Sequence, residues 1–158
     1  MSSKITTCLW FDTEGEEAAE FYCSVIPNST VLEVTRHGEA GPRDAGTAMT
    51  VSFELDGKPY VALNGGPKHT FTEAVSFQVS CADQDEVDHY WDTLAEGGEE
   101  GPCGWQKDRF GLSWQVVPTA LSELLGDPDP DRAQRAMKAM FSMQKIDIEG
   151  LRRAADAG

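Results

Sequence analysis

The stretch AVSFQVSCADQDEVDHYWDTL, residues 74–94, decides the fold. Val75, Phe77, Val79 and Cys81 alternate with Ala74, Ser76, Gln78 and Ser80, the period of two expected of a strand with one buried face. Asp83-x-x-Glu86 then reads as a capping box, and Val87, Tyr90, Trp91 and Leu94 form the apolar stripe of a helix that Gly97-Gly98 ends. Seventy positions earlier the same grammar occurs. Thr6 to Phe11 alternates, Thr13-x-x-Glu16 reads as a capping box, Ala18, Phe21, Tyr22 and Val25 share one helix face, and Pro27-Asn28 stops the helix. Superposition places Ile5 on Val75, Leu9 on Val79, Thr13 on Asp83, Glu16 on Glu86 and Phe21 on Trp91, an internal repeat of roles rather than of residues.

The first copy continues through strand-like runs at Thr30–Arg36, Ala48–Leu55 and Tyr60–Asn64, the last two joined by the hairpin signal Asp56-Gly57. A hairpin over residues 103–118 closes the second copy. From Thr119 the pattern turns helical: Thr119 to Leu125, then Asp129 as N-cap with Pro130 at the first helical position, then a stripe of Ala133, Ala136, Met137, Met140 and Phe141, then Asp147 to Ala155. The expected fold is α+β: paired β-α-β-β-β modules over residues 1–66 and 74–118, one domain spanning 1–118, with a helical extension over 119–158.

A module of this kind covers one sheet face with its helix and leaves the other free, so two modules side by side are expected to curve around a shared cleft. The apolar sets pack on the helices and the alternate sets form the cleft wall. The candidate ligand-binding residues are Thr6, Cys8, Trp10, Thr50, Ser52, Asn64, Ser76, Gln78 and Gln115, with Tyr60 and Trp105 joining Trp10 as stacking surfaces. These are neutral donors, acceptors and rings, which suits binding a polar organic molecule better than bond-making, since none is an obvious general acid or base. Glu54 reads as a solvated strand-end carboxylate, and His37, His69 and His89 fall in loops or on an exposed helix face.

With 27 acidic against 13 basic side chains the chain carries a net charge of −14, which disfavours phosphate backbones and anionic lipid surfaces. No apolar run approaches the roughly 18 residues that a membrane span needs, and no secretory leader is evident, so a cytoplasmic protein with neither nucleic-acid nor membrane partners is expected. Cys8, Cys23, Cys81 and Cys103 lack C-x-x-C spacing and sit in or beside apolar runs, as reduced structural thiols do.

The segments Leu9-Trp10-Phe11-Asp12, Ala18-Ala19-Glu20-Phe21-Tyr22, Ala62-Leu63-Asn64-Gly65-Gly66-Pro67, Cys103-Gly104-Trp105 with Ser113-Trp114-Gln115-Val116-Val117-Pro118, and Lys145-Ile146-Asp147-Ile148 resemble the PhnB-like family of the vicinal oxygen chelate superfamily. This family also carries the label 3-demethylubiquinone-9 3-methyltransferase, and the superfamily includes glyoxalases, bleomycin-resistance proteins and extradiol dioxygenases. The resemblance implies that residues 108–111 are the turn of the closing hairpin, with Leu112, Trp114 and Val116 toward the helix and Ser113, Gln115 and Val117 toward the cleft. Metal-dependent members of the superfamily place His and Glu ligands on the first, fourth, fifth and eighth strands. Those positions here are Thr6, Ala62 or Asn64, Ala74 and Gln115, which offer no good ligand set. The expectation is a metal-independent small-molecule-binding protein without a cofactor. The alternative is an enzyme, either of the superfamily's lyase, isomerase or dioxygenase type or a methyltransferase as the label implies. The apolar 133–141 stripe, together with the pairing habit of superfamily relatives, adds the expectation of a homodimer.

Overall fold

The computed structural model describes residues 3–41 and 43–158; Met1, Ser2 and Pro42 lie outside the described residues. The chain divides into two units, Met1–Phe71 and Thr72–Gly158. The first contains β1 (Thr7–Phe11), α1 (Gly15–Val25), β2 (Thr30–Arg36), β3 (Ala48–Leu55) and β4 (Lys58–Asn64). The second contains β5 (Ser76–Cys81), α2 (Gln84–Ala95), β6 (Glu99–Glu100), β7 (Trp105–Lys107) and β8 (Ser113–Pro118), followed by α3 (Thr119–Leu125), α4 (Pro130–Phe141) and α5 (Ile148–Asp156).

Each unit builds a four-stranded mixed sheet, in the order β1-β4-β3-β2 and β5-β8-β7-β6 respectively. In both, the first strand pairs in parallel with the last and the remaining pairs are antiparallel. The repeat is therefore one of topology: two β-α-β-β-β modules plus a helical tail. Asp56-Gly57 forms the expected tight hairpin, with both residues at positive φ. Asp108 to Gly111 turns the closing one, the Gly111 amide donating to the Asp108 carbonyl at 3.0 Å.

One face of each sheet is sealed by its helix. In the first unit Leu9, Phe11, Val51, Phe53 and Ala62 are buried, as are Ala18, Ala19, Tyr22 and Val25 of α1. In the second, Cys81, Trp114 and Val116 are buried, as are Val87, Tyr90, Trp91 and Leu94 of α2. The tail has its own small core of Leu121, Ile146 and Leu151, with Met140 and Met143 packed against it.

Two expectations change. Thr13 does not cap α1: the N-cap is Glu14, without a side-chain cap bond. The amide of Gly15 instead donates to Asn64 Oδ1 at 2.8 Å, from the far end of β4. The box at Asp83 does form, with Asp83 accepting from the Glu86 amide and Glu86 Oε2 from the Ala82 amide. The tail stripe also splits. Ala136 is buried and Met140 packs on the tail core, whereas Phe141 is 65% exposed. A short strand, β6, joins the elements read from the sequence.

Candidate functional site

The face of the second sheet that α2 does not cover carries most of the polar chemistry. Pairing sets Gln78 beside Gln115, Ser76 beside Ser113, Trp105 opposite Gln115 and Lys107 opposite Ser113, and paired residues share a face. Gln115 is the hub: its Nε2 donates to Ser76 Oγ at 2.9 Å, and its Oε1 accepts from Gln78 Nε2 at 3.4 Å. Trp105 stands half-buried beside this amide pair. Ser76, Gln78, Trp105 and Gln115 are thus brought together.

The hairpin that holds Gln115 is pinned from the other side of the sheet. Asp108, 2% exposed, accepts from the amides of Phe110 and Leu112 and from Trp114 Nε1. Trp114 lies under the helix layer, edge-on to Phe77. Its indole thereby fixes the turn, while its neighbour Gln115 points the opposite way.

In the first unit, Cys8, Trp10, Thr50 and Ser52 share the helix-free face, and Thr6 precedes β1. Trp10 is held in place there. Its Nε1 donates to the Gly66 carbonyl at 2.9 Å, and its ring lies so close to Gly65 that a Cβ there would sit 2.4 Å from the indole. His69 meets the ring edge-on at 4.8 Å. The glycine pair after β4 is thus a seat for an indole.

Tyr60 and Asn64 belong to the opposite face, which corrects their assignment to the cleft wall. Tyr60 pairs with Thr7 and Phe53, and its ring stacks on the buried Phe53 at 5.5 Å. Asn64 pairs with Phe11, is 8% exposed, and spends its amide on Gly15 and on the Ala48 carbonyl.

Charged groups frame the second sheet's helix-free face rather than occupy its centre. Lys107 is bonded to Glu73, which holds the carboxyl below and the ammonium above their ordinary values. These two, with Glu99, Trp105 and Ser113, line a recess of about 290 Å³. The resemblance that turns Gln115 to this face turns Ser113 to it as well. Lys107, Glu73 and Glu99 gave no comparable signal, because their grouping depends on how β6 and β7 meet.

All four cysteines are unpaired. Burial, with help from Glu86 and Asp83, pushes the Cys81 thiol up to about 12, so it stays protonated and inert. Cys8 is exposed. Among the described residues no three His, Cys, Asp or Glu side chains come together to hold a metal ion. At the positions where metal-dependent relatives place ligands, the residues do not fit a divalent cation: Gln115 is a neutral amide engaged with Ser76, and Asn64 turns to the helix side.

The family model described as 3-demethylubiquinone-9 3-methyltransferase matches residues 3–117. Among solved structures, a PhnB protein from Bacillus cereus is 32% identical, with a TM-score of 0.67, covering 74% of this chain and 100% of its own. A protein from Pseudomonas aeruginosa is 21% identical, with a TM-score of 0.60, over 74% of this chain and 98% of its own. The fosfomycin resistance protein FosX of Listeria monocytogenes, solved with Mn(II) and sulfate, is 15% identical at a TM-score of 0.52, over 79% of this chain and 96% of its own, and shares the fold. No curated protein gives a significant match. No helix among the described residues is long and apolar enough to cross a membrane. The chain belongs to the 3-demethylubiquinone-9 3-methyltransferase family, the PhnB-like branch of the vicinal oxygen chelate superfamily.

Proposed function

We propose that the protein binds a small polar organic molecule on the helix-free face of its second sheet, without a metal ion. The observation that carries this reading is the Ser76–Gln115–Gln78 network, a set of neutral hydrogen-bonding groups where metal-dependent relatives need an acid. Amides placed this way recognise ligand donors and acceptors by geometry. They supply no proton of tunable acidity.

The family's description favours methyl transfer as a second reading. The chain's glycine pair gives that reading little support as a cofactor cradle. Gly65-Gly66 follows β4 but leads into no helix, and its close approach serves Trp10.

The four unpaired thiols favour a reducing, cytoplasmic compartment. The outward Phe141, with Met137 on the same recessed face of α4, supports the homodimer expected from the tail stripe.

Native mass spectrometry of protein purified without chelator, with elemental analysis, tests the main reading. A copurifying organic mass that Gln115→Ala and Gln78→Ala each release is the expected result. A stoichiometric divalent ion, or stabilisation by several kcal/mol at saturating metal, overturns it. Light scattering at tens of micromolar decides the dimer: a wild-type dimer that Phe141→Lys dissociates is expected, and a wild-type monomer rules it out.

A further inference from the structure

We infer that the recess beside β7 in the second unit takes a small organic cation bearing N–H donors, a primary ammonium or a guanidinium. The inference rests on the reading of this sheet face as the ligand face, and it names the chemical class. Three features converge. First, Ser113 lines the recess while only 1% exposed, and its Oγ has no hydrogen-bond partner among the described residues. Because Ser113 pairs directly with Lys107, this hydroxyl lies on the same sheet face as Lys107 and Trp105. A buried hydroxyl without a partner is costly, and a ligand N–H that it can accept removes the cost.

Second, the charges at the rim sum to an excess of two negatives, Glu73, Glu99 and Glu100 against Lys107. Lys107 is bonded to Glu73 and also feels the field of Glu99, which pairs with it across β6 and β7. Three carboxylates face one ammonium, so an arriving anion meets repulsion and an arriving cation does not. Third, the half-buried indole of Trp105 forms one wall, and an indole face is the best aromatic partner for a cation. At about 290 Å³ the recess suits one ring or a short chain rather than a large ligand.

Benzylammonium, benzyl alcohol and benzoate have nearly the same shape and differ in charge. Titration calorimetry of the full chain at low salt should show benzylammonium binding one to one, about tenfold or more tighter than either analogue, and weakening as salt screens the rim. Glu99→Gln and Ser113→Ala should each reduce its affinity about fivefold. Ser113→Ala should also leave the melting temperature of the free protein unchanged or higher, the mark of a hydroxyl that is unsatisfied without ligand. Equal or tighter binding of benzoate or benzyl alcohol, no saturable binding of benzylammonium, or binding indifferent to Glu99→Gln overturns the inference. If the cation fails while a copurified molecule still depends on Gln78 and Gln115, the ligand-face reading stands and only the cation assignment falls.

Discussion

The two units share strand order, parallel closure and a helix over one face, yet each fastens its polar backbone differently. In the first, one buried amide, Asn64, ties the start of α1 to the end of β4 and to β3 by bonds to Gly15 and Ala48. In the second, the corresponding position at the end of the last strand is Pro118, paired with Cys81 just as Asn64 is paired with Phe11. Proline has no amide side chain to offer, so α2 is capped locally by Asp83, and the buried polar anchor moves to Asp108 in the closing hairpin. The repeat preserves the groups that must be satisfied and lets different residues satisfy them.

The comparison breaks most visibly at Asp108. Replacing it with Ala strands two backbone amides and an indole N–H under the helix layer, for an expected loss of about 3–5 kcal/mol in urea unfolding. Near-wild-type stability would mean that the hairpin does not depend on this carboxylate. Asn64→Ala should cost the first unit about 2–3 kcal/mol, and Asn64→Asp, which keeps the acceptor for Gly15 but sets a buried carboxylate oxygen against the Ala48 carbonyl, should cost no less. Hydrogen exchange sharpens this: the Gly15 amide should lose protection in the Ala variant, whereas amides of α2 keep theirs. At Asp83 the same replacement removes a local cap, worth about 1 kcal/mol.

The smallest effect is expected at Lys145, whose ammonium bonds Asp88 at 2.9 Å and helps fasten the tail to α2. Both side chains are partly exposed, so Lys145→Ala should cost only about 0.2–1 kcal/mol at neutral pH. The bond from Lys145, and then that from Gln84, hold the Asp88 carboxyl below its ordinary value. The stabilisation is therefore fully present above the unfolded carboxylate range and is lost as pH falls through the lower, folded value. Wild type and Lys145→Ala should differ at pH 7 and converge in acid. A gap that persists at low pH would show that Lys145 acts through packing.

These contrasts also explain what could be read from the residues alone. The faces of β5 are legible because polar and apolar side chains alternate cleanly along it, those of β8 follow from the family resemblance, and the Asp83 box is legible because all its parts lie within four residues. Asn64 reads as a cleft residue for the opposite reason: Gly15, the partner that turns it to the helix side, is 49 residues away. Tyr60 cannot be placed from the sequence because β4 is an inner strand with apolar or aromatic side chains on both faces, Val61 and Leu63 against Tyr60 and Ala62, which erases the alternation. The box at Thr13 matches the motif in spacing, yet the helix begins at Gly15 with its first amide already taken by β4. Strand β6 leaves no signal in the sequence because two glutamates after a glycine pair carry no strand preference; only pairing with β7 makes them a strand. Of the candidate site, Ser76 and Gln78 follow from alternation and Gln115 from the family resemblance, while the recess depends on tertiary placement that no local pattern encodes.

The turn at Cys103-Gly104 has a bearing on how the chain is made. Both residues adopt positive φ, and their amides donate to the carbonyls of Met143 and Gln144, both at 2.8 Å. Gln84, at the start of α2, brackets the same tail segment by bonding the Ile146 carbonyl and the Ile148 amide. The second unit therefore cannot complete its hydrogen bonding until residues 143–148 have left the ribosome, whereas every bond described for the first unit lies within residues 3–71. Synthesis from the N-terminus lets the first module close early and obliges the second to wait, so a ribosome stalled short of residue 143 would hold one finished module and one with bare amides at its hairpin.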